Sequence, residues 1–123
     1  FNHKRFKNLG FLDNSKVTSW FKKSDISVVC SRINEPFGRT ALEASSAGCA
    51  VIITNRGGLP EASSSALKIR NLSIKNLQKK IEKLINNEGY KKDLQKKIYK
   101  NFKLTNELAS KKIDKYRIKI IKS

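Results

Sequence analysis

"DISVVCSRINEPFGRTALEASSAGCAVIIT", Asp25 to Thr54, sets two short apolar runs on either side of a segment of different character. Ile26–Cys30 is apolar almost throughout rather than alternating, which suits a parallel strand buried on both faces. Gly38–Ala47 then reads as a helix, stopped by Gly48, a residue common just past helix ends. A second apolar run, Ala50–Thr54, follows at once. Strand, helix, strand is a βαβ unit, and such units build parallel α/β sheets with right-handed crossovers.

Reading outward, Val17–Lys23 fits a helix leading into the first strand. Beyond Gly57-Gly58, Pro60 suits a first helical position and Glu61 a first turn. Ala66–Ile69 reads as one more strand. From Ser73, a plausible N-cap, the signal becomes helical: Leu77, Ile81, Leu84 and Ile85 form a stripe ended by "NNEG". Leu94 and Ile98 mark a second helix. A third, capped by Thr105, carries Leu108, Ile113, Tyr116 and Ile120.

At 123 residues and 14.0 kDa the chain has the length of one domain, and a single unit over residues 1–123 is expected. It starts "FNHKRFKNLG" and contains no Met, which reads as a cut inside a longer protein. No apolar run approaches the ~20 residues that span a bilayer, so a soluble, cytoplasmic piece is expected. Cys30 and Cys49 lack CxxC spacing and a nearby His, and are read as reduced, buried thiols.

Charge is uneven. Residues 1–61 hold 9 basic and 5 acidic side chains, net +4, and residues 62–123 hold 18 and 5, net +13. Such a balance can bind nucleic acid or an anionic membrane. The lysines, however, are spread through amphipathic helices and no aromatic-interleaved basic patch exists, which favours solvated helix faces and no specific nucleic acid.

The 27 residues Glu35–Glu61 depart from this background, with two basic residues, three glutamates, four of the six glycines and both prolines. In α/β sheets ligands bind outside the carboxyl ends of strands, where loops turn into helices, and Glu35–Gly38 lies at such a place. A helix N-terminus there offers N–H donors and a positive dipole end to a phosphate. Glu35 and Glu43 flank that anion site. Carboxylates accept well from sugar hydroxyls and repel phosphates, so the layout suits a ligand with hydroxyls at both ends and phosphates between, as in a nucleotide sugar.

"EPFGRTALEASSAGCAVIITNRGGLPE" closely resembles the E-x7-E signature of the group 1 retaining glycosyltransferases, with Glu35 and Glu43 as the two signature glutamates. The likeness extends upstream through "NLGFLDNSKVTSWFKKSDISVVCS". It implies a Rossmann-like parallel sheet with helices on both faces, as part of the C-terminal, donor-binding domain of the two-domain GT-B fold. Carried over, Glu35 contacts the donor sugar hydroxyls with help from the amides of Phe37 and Gly38, and is assigned the catalytic position. Amides of Arg39 and Thr40 hold the diphosphate, Glu43 holds the ribose, and Asp13–Lys16 lies near the base. Cys30 stands where the family usually has proline, and "SSSALKIRNLS" replaces the usual Gly-rich stretch after the GGxPE loop. Gly57-Gly58 is read as mainly a structural turn.

The resemblance implies transfer from an NDP-sugar with retention of configuration. The basic pair that neutralises the leaving diphosphate, and the site for a glycan or lipid-linked acceptor, belong to a missing N-terminal domain. No D-x-D pair exists to hold a divalent cation, so neither metal nor other cofactor is expected. A weak peripheral association with anionic membranes fits the basic half. A nucleotide-sugar epimerase or non-catalytic paralogue of the same fold, and a nucleic-acid-binding module, are the alternatives.

Overall fold

A computed structural model describes residues 3–102 and 106–123. The elements run α1 (Asn14–Lys22), β1 (Ile26–Val29), α2 (Arg39–Ser46), β2 (Ala50–Thr54), α3 (Leu59–Ala62), β3 (Leu67–Ile69), α4 (Ile74–Ile85), α5 (Glu88–Asn101) and α6 (Asn106–Ile121). The three strands form one parallel sheet in the order β1-β2-β3. Ile26 faces Ala50 and Val29 faces Ile53, while Ile52 faces Leu67 and Thr54 faces Ile69. This is the α/β, Rossmann-like architecture with C-terminal helices expected from the two apolar runs.

The central strand explains the cohesion. All five residues of β2 are buried, and Val51, Ile52 and Ile53 are shut off from solvent completely. Fully burying such side chains stabilises by about 1.5–3 kcal/mol each. Helix α2 presents Ala41, Ala44 and Ser45 inward, residues small enough for the helix to lie close to its neighbours. Ser45 is buried but satisfied: its hydroxyl lies 2.7 Å from both the Ala41 carbonyl and the Ser63 hydroxyl. Leu84 of α4 and Leu94 and Ile98 of α5 complete the core.

Several expected details shift. Helix α1 begins at Asn14, three residues before Val17, because the Asp13 carboxylate caps it by accepting from the Lys16 amide at 3.0 Å. Strand β1 ends at Val29, one residue short of Cys30. Pro60 is the second residue of the one-turn α3, after Leu59. "NNEG" both ends one helix and starts the next: Asn86 closes α4, and the Asn87 side chain accepts from the Tyr90 amide at 2.9 Å. Ile85, expected on the buried stripe, is 62% exposed. Ser73 caps α4 as read, accepting from the Asn76 amide. Thr105, expected to cap the third helix, lies outside the described residues.

Both cysteines are free thiols, Cys49 buried and Cys30 only partly so. Cys30 follows the strand end rather than sitting within it, which leaves it partly open. The Cys49 sulfur lies 3.2 Å from the Phe21 carbonyl and 3.4 Å from that of Ser24, joining the end of α1 to the core. Burial, and next the Asp25 carboxylate, raise the Cys49 thiol above its ordinary value, and burial raises Cys30. Neither favours a reactive thiolate.

Candidate functional site

The carboxyl ends of the strands are stitched together before any ligand is considered. The Thr54 hydroxyl accepts from the Ser31 amide at 3.0 Å, tying the end of β2 to the loop after β1. The Asn55 amide donates to Ile69 at 2.9 Å, tying β2 to β3. On this base the loop Ser31–Gly38 returns to start α2.

That loop rests, backbone against backbone, on Gly57-Gly58. The Gly58 amide donates to the Glu35 carbonyl at 2.7 Å. A Cβ on Gly57 would lie 2.6 Å from the Glu35 nitrogen, and one on Gly58 would lie 2.6 Å from the Pro36 oxygen and 2.7 Å from the Phe37 Cα. Gly57 also has φ of +52°, a region side chains disfavour. Gly57-Gly58 is therefore more than the turn the sequence suggests. It is the seat that fixes the height of Glu35 relative to α2. The glycine pair in "GGLPE" was its visible signal, although its partner could not be read.

Gly38 is the hinge of the arrangement. It has φ of +79°, it is the N-cap of α2, and no side chain caps the helix. A Cβ there would meet the Leu59 Cδ2 at 2.7 Å. The first turn of α2 thus begins at a bare, closely packed glycine, leaving its amides available to an outside acceptor.

The structure brings all six expected residues to this loop and the first two turns of α2. Glu35 is half-buried, and among the described residues its carboxylate takes no hydrogen bond or ion pair while its main chain is clamped. Phe37 is 45% exposed, and Arg39 and Thr40 are exposed. Glu43 is more enclosed, its side chain 22% exposed, and one carboxylate oxygen accepts from the Arg39 Nε at 3.0 Å. Such an i,i+4 pair contributes only about 0.2–0.5 kcal/mol, whereas a hydrogen bond to a charged group contributes about 1.5–3 kcal/mol. A ligand with hydroxyls can displace Arg39 from Glu43 at little cost.

Asp13–Lys16 has a local task. The Asp13 carboxylate accepts from the Ser15 hydroxyl at 2.6 Å and the Lys16 amide, and these bonds hold it below the usual carboxylate range. Among the described residues, no three His, Cys, Asp or Glu side chains converge as a metal cluster would require.

A family model for glycosyl transferases group 1 matches residues 2–103. The chain belongs to this family. Over 53 residues it is 42% identical to an uncharacterized glycosyltransferase of Methanocaldococcus jannaschii, an alignment covering 43% of this chain and 13% of that protein. Over 47 residues it is 45% identical to the D-inositol 3-phosphate glycosyltransferase of Paenarthrobacter aurescens, covering 38% of this chain and 11% of the relative. The matched stretch is a small part of each relative's length.

In this group 1 glycosyl transferase chain Phe37, Arg39 and Thr40 of the candidate site are open to solvent. A cavity of 190 Å³ between α3 and the end of α5, lined by Ser45, Ser63 and Asn101 among others, includes none of the six residues. The Asn101 amide already donates to the Ser65 hydroxyl there at 2.8 Å. A further feature escaped the sequence reading: Arg32, Arg56 and Arg70 line one cleft at the carboxyl edge of the sheet. Their separation in sequence hid it, since only the parallel register brings them together.

Proposed function

We propose that this chain is the donor-binding part of a retaining glycosyltransferase, the C-terminal half of a GT-B enzyme, that takes its sugar from a nucleoside diphosphate. The observation that supports this best is the clamp of Gly57-Gly58 on Glu35 and Phe37. It sets an unengaged carboxylate beside the uncapped start of α2, with a second carboxylate, Glu43, one turn further on.

In this reading the Glu35 side chain accepts from the donor sugar's hydroxyls, with the Phe37 and Gly38 amides alongside. The Arg39 and Thr40 amides and the α2 dipole hold the diphosphate, and Glu43 releases Arg39 to accept from the ribose. The bond from the sugar's anomeric carbon to the diphosphate oxygen breaks with its electron pair leaving on the diphosphate. The acceptor hydroxyl oxygen forms the new bond on the same face, and its proton passes to the departing phosphate. Negative charge grows on the diphosphate as the bond breaks, so α2 stabilises the transition state more than the ground state. No metal is assigned a role.

The acceptor, a glycan or a lipid-linked sugar, would be held by a domain outside this chain. Peripheral attachment to an anionic membrane is compatible with the basic C-terminal half; among the described residues no helix is long and apolar enough to cross a bilayer.

The test is Glu43→Gln in the full-length enzyme. NDP-sugar affinity is expected to fall by about 1.5–3 kcal/mol per charged hydrogen bond lost. Unchanged nucleotide affinity would mean that Glu43 does not face the ribose.

A further inference from the structure

Each strand of the sheet is followed by an arginine: Arg32 three residues after β1, Arg56 two after β2, and Arg70 directly after β3. Because the strands are parallel and in register, all three reach the same edge, where they line a cleft of 490 Å³ with Ser31, Asn71 and Leu72. No carboxylate lines the cleft. None of the three guanidinium groups takes part in an ion pair among the described residues, in contrast to Arg39 and Arg117, which pair with Glu43 and Asp114. The Arg56 side chain is held across the cleft by donating to the Arg32 carbonyl at 2.9 Å. Each guanidinium offers five N–H donors in a planar fork, and among the described residues the bond from Arg56 is the one side-chain hydrogen bond these three donate.

Three cations gathered with so few internal partners repel one another, and an oxyanion between them removes that cost. Guanidinium forks match phosphate geometry bidentately, which a lysine cluster would not. We propose that the Arg32–Arg56–Arg70 cleft is a phosphoryl-binding subsite, separate from the start of α2. It lies at the strand ends where α/β sheets hold ligands. None of the six residues of the candidate donor site is among its lining. The ligand class is a phosphate ester or a diphosphate. The subsite stands beside the donor reading and does not rest on it.

The experiment is a titration of the full chain with inorganic phosphate at constant ionic strength, followed through backbone amide shifts. Saturable shifts are expected at Ser31, Arg32, Arg56, Arg70 and Asn71. The Arg32→Gln/Arg70→Gln double variant should bind phosphate about ten-fold more weakly or worse, with its far-UV circular dichroism unchanged. Should that variant not fold, Arg70→Gln alone serves, because among the described residues the Arg70 side chain makes no hydrogen bond. Shifts reproduced by matched chloride, or undiminished affinity in a folded variant, would overturn the subsite. Adding a nucleoside diphosphate to saturation identifies the source. Phosphate shifts that persist assign the cleft to a phosphorylated acceptor, whereas shifts that are displaced place the donor's own diphosphate there and overturn a subsite separate from α2.

Discussion

The segment Glu35–Glu61 and helix α6 both satisfy a helical or strand pattern in the sequence, yet they end in opposite situations. In the first, Ala41, Ala44, Cys49, Leu59 and the whole of β2 are buried, and two loops lock together through glycines. In α6, Ile113 is 58% exposed, Ile120 72% and Ile121 81%, and the side chains described along it are all exposed. Periodicity is a statement about one helix, whereas burial needs a partner. The difference is also chemical. The first segment is short of lysine and rich in close main-chain contacts, so its geometry is set within narrow limits, while α6 carries exposed pairs within its own length such as Lys111–Glu107.

Truncating one buried and one exposed side chain gives the widest contrast. Leu84→Ala should cost about 2–5 kcal/mol, as deletions in a filled core do. Ile113→Ala should stay within about 0.5 kcal/mol. Denaturant unfolding of both variants reads the difference, and an equal loss in the two would mean that α6 is covered in solution.

A smaller effect is expected at the loop junction. Gly57→Ala forces a side chain into a left-handed backbone and against Glu35, and the strain alone should cost about 1–3 kcal/mol. Because the added methyl lifts Glu35 rather than the core, donor affinity should drop even where the variant remains folded. Normal nucleotide-sugar binding by a folded Gly57→Ala chain would break the link between the clamp and the site.

The fold was legible because its deciding signals are local. The continuous apolar runs at Ile26–Cys30 and Ala50–Thr54, and glycines bracketing Arg39–Ala47, each act over a few residues. Glu35 and Glu43 were legible as a pair for the same reason, since loop and helix place them within one chain segment. What escaped depends on distance in sequence. Nothing local announces that Gly57 will support Glu35, that Arg32, Arg56 and Arg70 will share a cleft, or that Arg39 will pair with Glu43. Ile85 lies in solvent because a stripe wider than the contact surface leaves its edge residue outside it.

The weakest expected effect concerns pH and belongs to the start of α5. Lys91 lies 2.9 Å from the Glu88 carboxylate and 3.7 Å from that of Asp25. The hydrogen bond from Lys91, ahead of its charge, holds Glu88 below its ordinary value, and the reciprocal bond raises Lys91. A lowered carboxylate contributes stability above its unfolded value that is lost as pH falls through the folded one. A raised amine contributes below its unfolded value and is lost as pH rises through the folded one. The pair therefore favours folding across the neutral range. Glu88→Gln should flatten the acid limb of the stability curve slightly, and a steeper acid limb would contradict this.

The donor site stands or falls on where a nucleotide sugar touches the chain. Titrating the full chain with UDP- and GDP-sugars while following backbone amide shifts should move Phe37, Gly38, Arg39 and Thr40 most, with the response abolished or strongly weakened in Glu43→Gln. Shifts confined to the lysine-bearing helices α4–α6 and erased by moderate salt, with Phe37–Thr40 unmoved, would contradict the donor site.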